Sequence, residues 1–233
     1  MAQLTGREKA RYVQSMFGRI AGRYDLMNRL MTAGQDRAWR REVIRLATLP
    51  PGGRLLDLGT GTGDLAFEAL RRLPGLRVAA ADFTPAMMRV GQAKPGGLAV
   101  GWTGADALRL PYADGQFDAV VSGFLLRNVA DVRQAFAEQR RVLRPGGRVV
   151  CLDTTPPPSN WLRPLIEFHL HRVIPALGRL VTGSGDAYRY LPASTEGFLS
   201  AERLQAEMEA AGLREVRFTR LNFGTVAIHA GQR

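Results

Sequence analysis

The sequence predicts an α/β protein built on a doubly wound sheet, mostly parallel, with an antiparallel hairpin at its C-terminal edge and a helical cap at its N-terminus. Three observations carry that prediction. From residue 54 onward, short β-rich runs alternate with helical patterns, the signature of parallel strands joined by crossover helices. The first run, "RLLDLG", passes directly through "TGTGD" into helical spacing, so a glycine turn joins strand to helix. The last stretch, "LREVRFTRLNFGTVAIHAG", holds two strand-like runs only a few residues apart, which is hairpin spacing.

Residues 5–47 are helical in pattern and carry no strand signal, so residues 1–47 are expected to form the cap and 48–233 the main domain. "PPGG" at 50–53 precedes the first strand; a helix starts at Asp64, the strand "LRVAAAD" follows, and another helix starts at Pro85. "KPGG" at 94–97 precedes the strand "LAVGWTGAD"; "FDAVVSG", a helix from Asp131, "RPGG" at 144–147 and "GRVVCLD" complete the alternation. Residues 157–193 interrupt the scheme as a long insertion. Insertion and cap can both cover the C-terminal edge of the strands, where open α/β sheets bind ligands. The arrangement is Rossmann-like.

Composition narrows the class. A chain of 233 residues with 45% apolar and 23% charged residues suits one α/β domain with an appendage and a proper core. The single cysteine, Cys151, sits in an apolar strand and has no internal partner, which points to a reducing, cytoplasmic setting. No run approaches the ~20 apolar residues of a membrane span, and "MAQLTGREKARYVQ" is charged and helical, unlike a signal peptide. The net charge of +11 is carried almost wholly by arginines, singly or in pairs. It fits a solvated basic surface or attraction to anionic partners such as phospholipid headgroups or nucleic acid, and a peripheral position at the inner face of the membrane is one expectation. No Asn/Asp-Pro-Pro-Tyr/Phe stretch follows the fourth strand and no basic domain is appended, so no nucleic-acid partner is expected. The sequence does not set the oligomeric state; a homodimer is one expectation.

The glycine turn discriminates between ligands. Gly59, Gly61 and Gly63 give GxGxG, whereas a dinucleotide fingerprint wants its last glycine at position 64, which is Asp64. A phosphate loop needs a Lys-Ser/Thr pair that is missing here. Asp64 can cap the free N–H groups of its helix and repel a pyrophosphate, so the turn suits a cationic or neutral ligand. S-adenosylmethionine has a sulfonium, an ammonium group and no phosphate. Asp57 at the first strand's end is expected to face its methionyl part, while Gly59 and Gly61 allow close approach. Asp82, ending the second strand, can accept from both ribose hydroxyls, or can merely cap the "TPAMM" helix. Asp106 and the Ala107 backbone suit the adenine, and Phe83 and Ser122 complete the expected cofactor set.

These residues resemble class I methyltransferases and, more narrowly, the ubiquinone/menaquinone biosynthesis C-methyltransferase family. The resemblance spans nearly the whole chain and rests on "MFGRIAGRYDLMNRLMTAGQDRAWRR" (16–41), "LDLGTGTGD" (56–64), "LLRNVAD" (125–131), "RVLRPGGR" (141–148), "DAYRYLPAST" (186–195) and "GTVAIHAG" (224–231). It implies methyl transfer from S-adenosylmethionine to a ring carbon of a prenylated quinol, demethylmenaquinol to menaquinol foremost. It also implies cofactor contacts at Thr62, Asp82, Asp106 and Ala107, and a quinol pocket lined by Tyr24, Asp25, Arg127 and Asn128. The chain departs from the family pattern at Leu125, where glycine is usual. It departs at "LDTTPPP", where Asp153 replaces a Glu-Phe pair, and at Gly123, where serine is common and Ser122 precedes instead. Another small aromatic acceptor is therefore the alternative.

Methylation of a quinol carbon requires an ionised neighbouring phenol and an aligned ring. Tyr24, Asp153, His169 and Tyr188 are candidates for the proton step, and Arg127 for stabilising a phenolate, against the alternative that it only pairs with Asp131. Tyr24, Asn28, Arg127, Asn128, His169, Tyr188 and Tyr190 form the expected substrate set. His169 and His171, two apart on a helix, face apart, and no metal site is expected. The apolar residues of 157–182, among them Trp161, Leu165 and Phe168, suit a passage for the tail, an interfacial surface or a lid helix packed on the sheet.

Overall fold

The computed structural model describes residues 6–157, 161–182 and 185–233. Helices α1 (Gly6–Ile20), α2 (Tyr24–Met31) and α3 (Asp36–Leu46) come first. Then follow β1 (Arg54–Leu58), α4 (Asp64–Arg72), β2 (Arg77–Asp82), α5 (Pro85–Gln92), β3 (Val100–Gly104), β4 (Phe117–Gly123), α6 (Val132–Val142) and β5 (Leu143–Thr154). The insertion supplies α7 (Arg163–Phe168), a π-helical turn (His169–Val173), α8 (Ile174–Thr182) and α9 (Gly185–Glu196). Helix α10 (Ala201–Ala210) and strands β6 (Arg214–Leu221) and β7 (Val226–Gln232) close the chain.

The seven strands lie in the order β3-β2-β1-β4-β5-β7-β6, with β1 to β5 parallel and β7 antiparallel to both β5 and β6. Order reverses between β1 and β4, which opens a crevice at the strands' C-terminal ends. β1 and β4 are almost continuously buried because helices cover both faces, whereas edge strand β6 alternates and exposes its charges. The C-terminal pair is a hairpin, as expected, but its second strand lies inside and its first forms the edge. "VAIHAG" is apolar without alternation and "REVRFTR" is not, so burial orders them that way.

Capping follows composition: Asp131 accepts from Gln134 N–H at the start of α6, Ser200 from Arg203 N–H at the start of α10, and Pro85 opens α5. "RPGG" differs from expectation. It lies within β5, where pairing jumps from Phe117–Leu143 to Ala119–Arg148, so residues 144–147 bulge out of the ladder.

Two cores flank the sheet. Trp39, Val43, Ile44 and Ala47 of α3 belong to the first, with Leu55, Ala66, Val121 and Ile228. Phe136, Leu143, Leu204 and Met208 belong to the second. Met16, Ile20, Met27, Ile174 and Tyr190 form a third, smaller core in which α1 and α2 pack on the insertion. Helix α3 thus packs on the sheet, so the expected boundary at residue 47 falls behind a helix of the main core. Among the described residues no helix is long and apolar enough to cross a membrane.

Candidate active site

The turn after β1 carries three glycines with positive φ: Gly59 (+67°), Gly61 (+57°) and Gly63 (+86°). A side chain at Gly63 would meet Trp102 and Phe67 within 2.8 Å, so glycine is required there for packing as well as backbone shape. A cavity of about 360 Å³ opens above the turn, lined by Gly59, Gly61, Asp82, Phe83, Asp106 and Ala107 together with Met87, Gly123, Leu125 and Asn128. Asp82 accepts Gly61 N–H and Thr84 N–H, each at 2.7 Å, so it braces the turn and the start of α5 together. Burial raises its pKa, opposed by those hydrogen bonds. Asp106 accepts Leu108 N–H at 2.9 Å and stays exposed.

Other residues of the expected cofactor set lie outside this cavity's lining. Asp57 is buried beneath the turn, where one oxygen accepts from Thr60 Oγ1 (2.6 Å) and Ala66 N–H (3.0 Å). Desolvation pushes its pKa up to about 7, and the other oxygen has no protein partner. Its position makes it a brace for the turn, not a wall facing the ligand. Ser122 is buried within β4, and the next residue, Gly123, lines the cavity in its place. Thr62 turns its hydroxyl away to Asp25 Oδ1 at 2.6 Å. Asp64 does not cap α4; its carboxylate meets Lys94 and Arg40, at 3.0 and 2.9 Å.

A second cavity, about 430 Å³, adjoins the first. It lies between α1, α2, α7 and the ends of β5 and β7, and is lined by Met16, Ile20, Asn28, Trp39, Arg127, Ile166, His169 and Ile174 among others. Phe17, Tyr24 and Phe124 line both cavities and so form the wall between them. Sequence reasoning missed Phe17 and Phe124. Phe124 directly follows β4 at the C-terminal end of the sheet, a position that could have revealed it, and its φ of +59° is strained for a non-glycine residue. Burial raises the Tyr24 phenol's pKa; the Asn28 hydrogen bond and Arg127 pull it the other way.

Arg127 is buried and donates to Asp153 Oδ1 at 2.7 Å, with its guanidinium carbon 5.2 Å from the Phe124 ring centre. Its partner is therefore Asp153 and not Asp131, which caps α6. Arg127 Nε has no hydrogen-bond partner. Asp153 also accepts Leu126 N–H at 2.8 Å and Thr154 N–H at 2.8 Å, and is fully engaged as an anchor instead of standing free as a base. Asn128 lines the first cavity and accepts from Tyr190 Oη at 3.1 Å, so Tyr190 supports Asn128 from the third core. His169 lines the second cavity, whereas His171 pairs with Glu196 at 2.7 Å. Tyr188 falls in α9, and its side chain lies outside the described residues.

The first cavity suits S-adenosylmethionine. It offers a carboxylate at a strand end, bare glycine backbone and the apolar side chains of Phe83 and Leu108 in its lining, and the carboxylate of Asp82 on its wall disfavours a phosphate. Fold and site together define an S-adenosylmethionine-dependent methyltransferase of the Rossmann-like class. Solved structures agree on the fold: the [4+2]-cyclase SpnF has a TM-score of 0.70 at 16% identity, covering 98% of this chain and 96% of its own. A Thermotoga maritima S-adenosylmethionine-dependent methyltransferase has a TM-score of 0.65 at 18% identity, covering 94% and 98%. The chain belongs to the ubiE/COQ5 methyltransferase family, whose profile matches residues 5–233. Among its relatives, the demethylmenaquinone methyltransferase of Thermus thermophilus is 48% identical over 94% of this chain and all of its own length. The ubiquinone/menaquinone biosynthesis C-methyltransferase UbiE of Desulfotalea psychrophila is 46% identical over 94% of this chain and 89% of its own.

Proposed function

We propose that the protein methylates a ring carbon of a prenylated quinol, with demethylmenaquinol the foremost acceptor. The observation that carries this reading is the junction of two cavities, one built on the glycine turn and Asp82, the other apolar, separated by Phe17, Tyr24 and Phe124. S-adenosylmethionine, when bound, supplies an electrophilic methyl group.

In this reading Asp82, Asp106 and the backbone of residues 59–61 hold the cofactor. Arg127 lies on the wall of the second cavity with an unpaired Nε–H, and its fixed charge stabilises the phenolate that makes the neighbouring ring carbon nucleophilic. Asp153 sets the guanidinium's orientation. Two candidates for the proton line the second cavity, Tyr24 and His169; burial keeps the Tyr24 phenol neutral, so it donates a hydrogen bond and His169 takes the proton. The apolar lining accepts the first part of the prenyl chain, and Leu165 and Phe223, 66% and 71% exposed, form its rim.

Peripheral membrane contact belongs to the same reading. Trp161, Leu165, Phe168 and Leu180 are exposed on the insertion, with Arg163, Arg172 and Arg179 interspersed. Binding to anionic liposomes that weakens with salt is expected; no binding at low salt contradicts it.

The test of the acceptor is a tail series. With S-adenosylmethionine saturating, kcat/KM on reduced demethylnaphthoquinones is expected to rise with the first prenyl units. Equal activity on tailless and prenylated acceptors favours the other small aromatic acceptor instead.

A further inference from the structure

The N-terminal helices are bolted to the glycine turn by the residue beside Tyr24. Asp25 Oδ1 accepts the Thr62 hydroxyl at 2.6 Å and Oδ2 pairs with Lys94 Nζ at 2.6 Å. Lys94 continues to Asp64 at 3.0 Å, Asp64 to Arg40 at 2.9 Å, and Arg40 to the buried Asp36 at 2.9 Å. Five charged side chains thus tie α2 and α3 to the start of α4 and the end of α5. Of these links only the Asp25–Thr62 bond enters the turn itself. Thr62 is buried, and its neighbour Gly61 gives its N–H to Asp82 on the cavity wall.

Helix α1 covers the same cavity. Ala10, Val13 and Phe17 line it, Gln14 Nε2 donates to Phe83 O at 2.7 Å, and Lys9 Nζ donates to Arg127 O and Val129 O at 3.0 and 3.3 Å. Helix α1 thus forms one wall of this cavity, held by these hydrogen bonds to the segments that follow β2 and β4. Asp25 ties α2 to the turn, and Tyr24 beside it is part of the wall shared by the two cavities.

We infer that Asp25 is a positioning residue: through Thr62 it couples occupation of the cofactor cavity to closure of α1 and α2, and thereby sets Tyr24 against the acceptor. This rests on the first cavity's being the cofactor site. Short hydrogen bonds to a carboxylate are the strong ones, and a loop that is fixed by its ligand transmits that order through such a bond.

The experiment is hydrogen exchange of residues 6–31 with and without S-adenosylhomocysteine, with its affinity measured by calorimetry on the same samples. In the native protein the ligand is expected to slow exchange there. In Asp25→Ala, at saturating ligand, that slowing is expected to shrink by about tenfold, a typical coupling between sites. In Lys94→Met, which leaves the Asp25–Thr62 bond, most of it remains. Asp25→Asn, which keeps an acceptor for Thr62, is expected to lie between, and it carries the test if Asp25→Ala does not fold. Undiminished slowing in Asp25→Ala, or equal loss in Lys94→Met and Asp25→Ala, overturns the inference. Failure of the native protein to bind S-adenosylhomocysteine overturns the cofactor assignment itself, and the two failures are told apart by the calorimetry.

Discussion

The Arg127 guanidinium lies 2.7 Å from the Asp153 carboxylate, with the two side chains 4% and 1% exposed. Removing one partner of such a pair leaves the other buried and uncompensated. Asp153→Asn is therefore expected to lose about 3–5 kcal/mol of stability, read by denaturant unfolding. Arg127→Lys keeps the charge but not the planar fork, and is expected to lose turnover by at least about a hundredfold, with a smaller change in quinol KM. Full turnover in Arg127→Lys contradicts the assigned role.

Much of this architecture is legible in sequence, for identifiable reasons. β1, β2 and β4 are apolar runs bounded by turn residues, and the glycine turn follows because glycine takes the positive φ at residues 59, 61 and 63 without the strain other residues bear there. What was not legible is tertiary. Arg127 has an acid four residues downstream, Asp131, and another 26 residues away, Asp153; only the alignment of β4 with β5 selects the second. Asp57 and Asp82 read alike as strand-end acids, yet the fold buries the first under the turn and puts the second on the cavity wall. Asp25, Thr62 and Lys94 are far apart in the chain, so their junction leaves no local signal.

The glycines of the turn differ in purpose, and alanine separates them. At Gly61 a Cβ meets the flexible end of Met87 at 3.3 Å and the Tyr24 ring at an ordinary 4.0 Å, so Gly61→Ala costs about 1–2 kcal/mol from the left-handed backbone and weakens cofactor binding. At Gly63 a Cβ meets two aromatic rings within 2.8 Å, so Gly63→Ala loses more stability than Gly61→Ala. Thermal midpoints and titration with S-adenosylhomocysteine measure both.

Asp57 makes stability depend on pH. Its folded pKa, about 7, lies above its unfolded value of 3.8, so the folded state binds the proton more tightly. That contribution is fully present below the unfolded pKa and is lost as pH rises through about 7. Asp57→Asn keeps an oxygen for Thr60 and Ala66 and does not ionise. Its unfolding free energy is expected to be flatter between pH 4 and 8 than the native protein's by roughly 2–4 kcal/mol, with the native protein losing stability toward pH 8. Parallel pH profiles of the two proteins contradict this.

His169 is assigned the proton, and His171 serves as its control. His169→Gln is expected to lower kcat by about 10²-fold with little change in cofactor affinity, whereas His171→Gln, which breaks only an exposed pair with Glu196, leaves kcat unchanged. Equal effects in steady-state kinetics remove His169 from the proton step.

The most direct measurement is transfer of a labelled methyl group from S-adenosylmethionine to a panel of reduced naphthoquinones, benzoquinones and small phenols, with the position of the label read from the product. Quinol C-methylation predicts label on a ring carbon of the prenylated naphthoquinol and little on the small phenols. Label on oxygen, or cofactor binding with no labelled quinol at all, would contradict it.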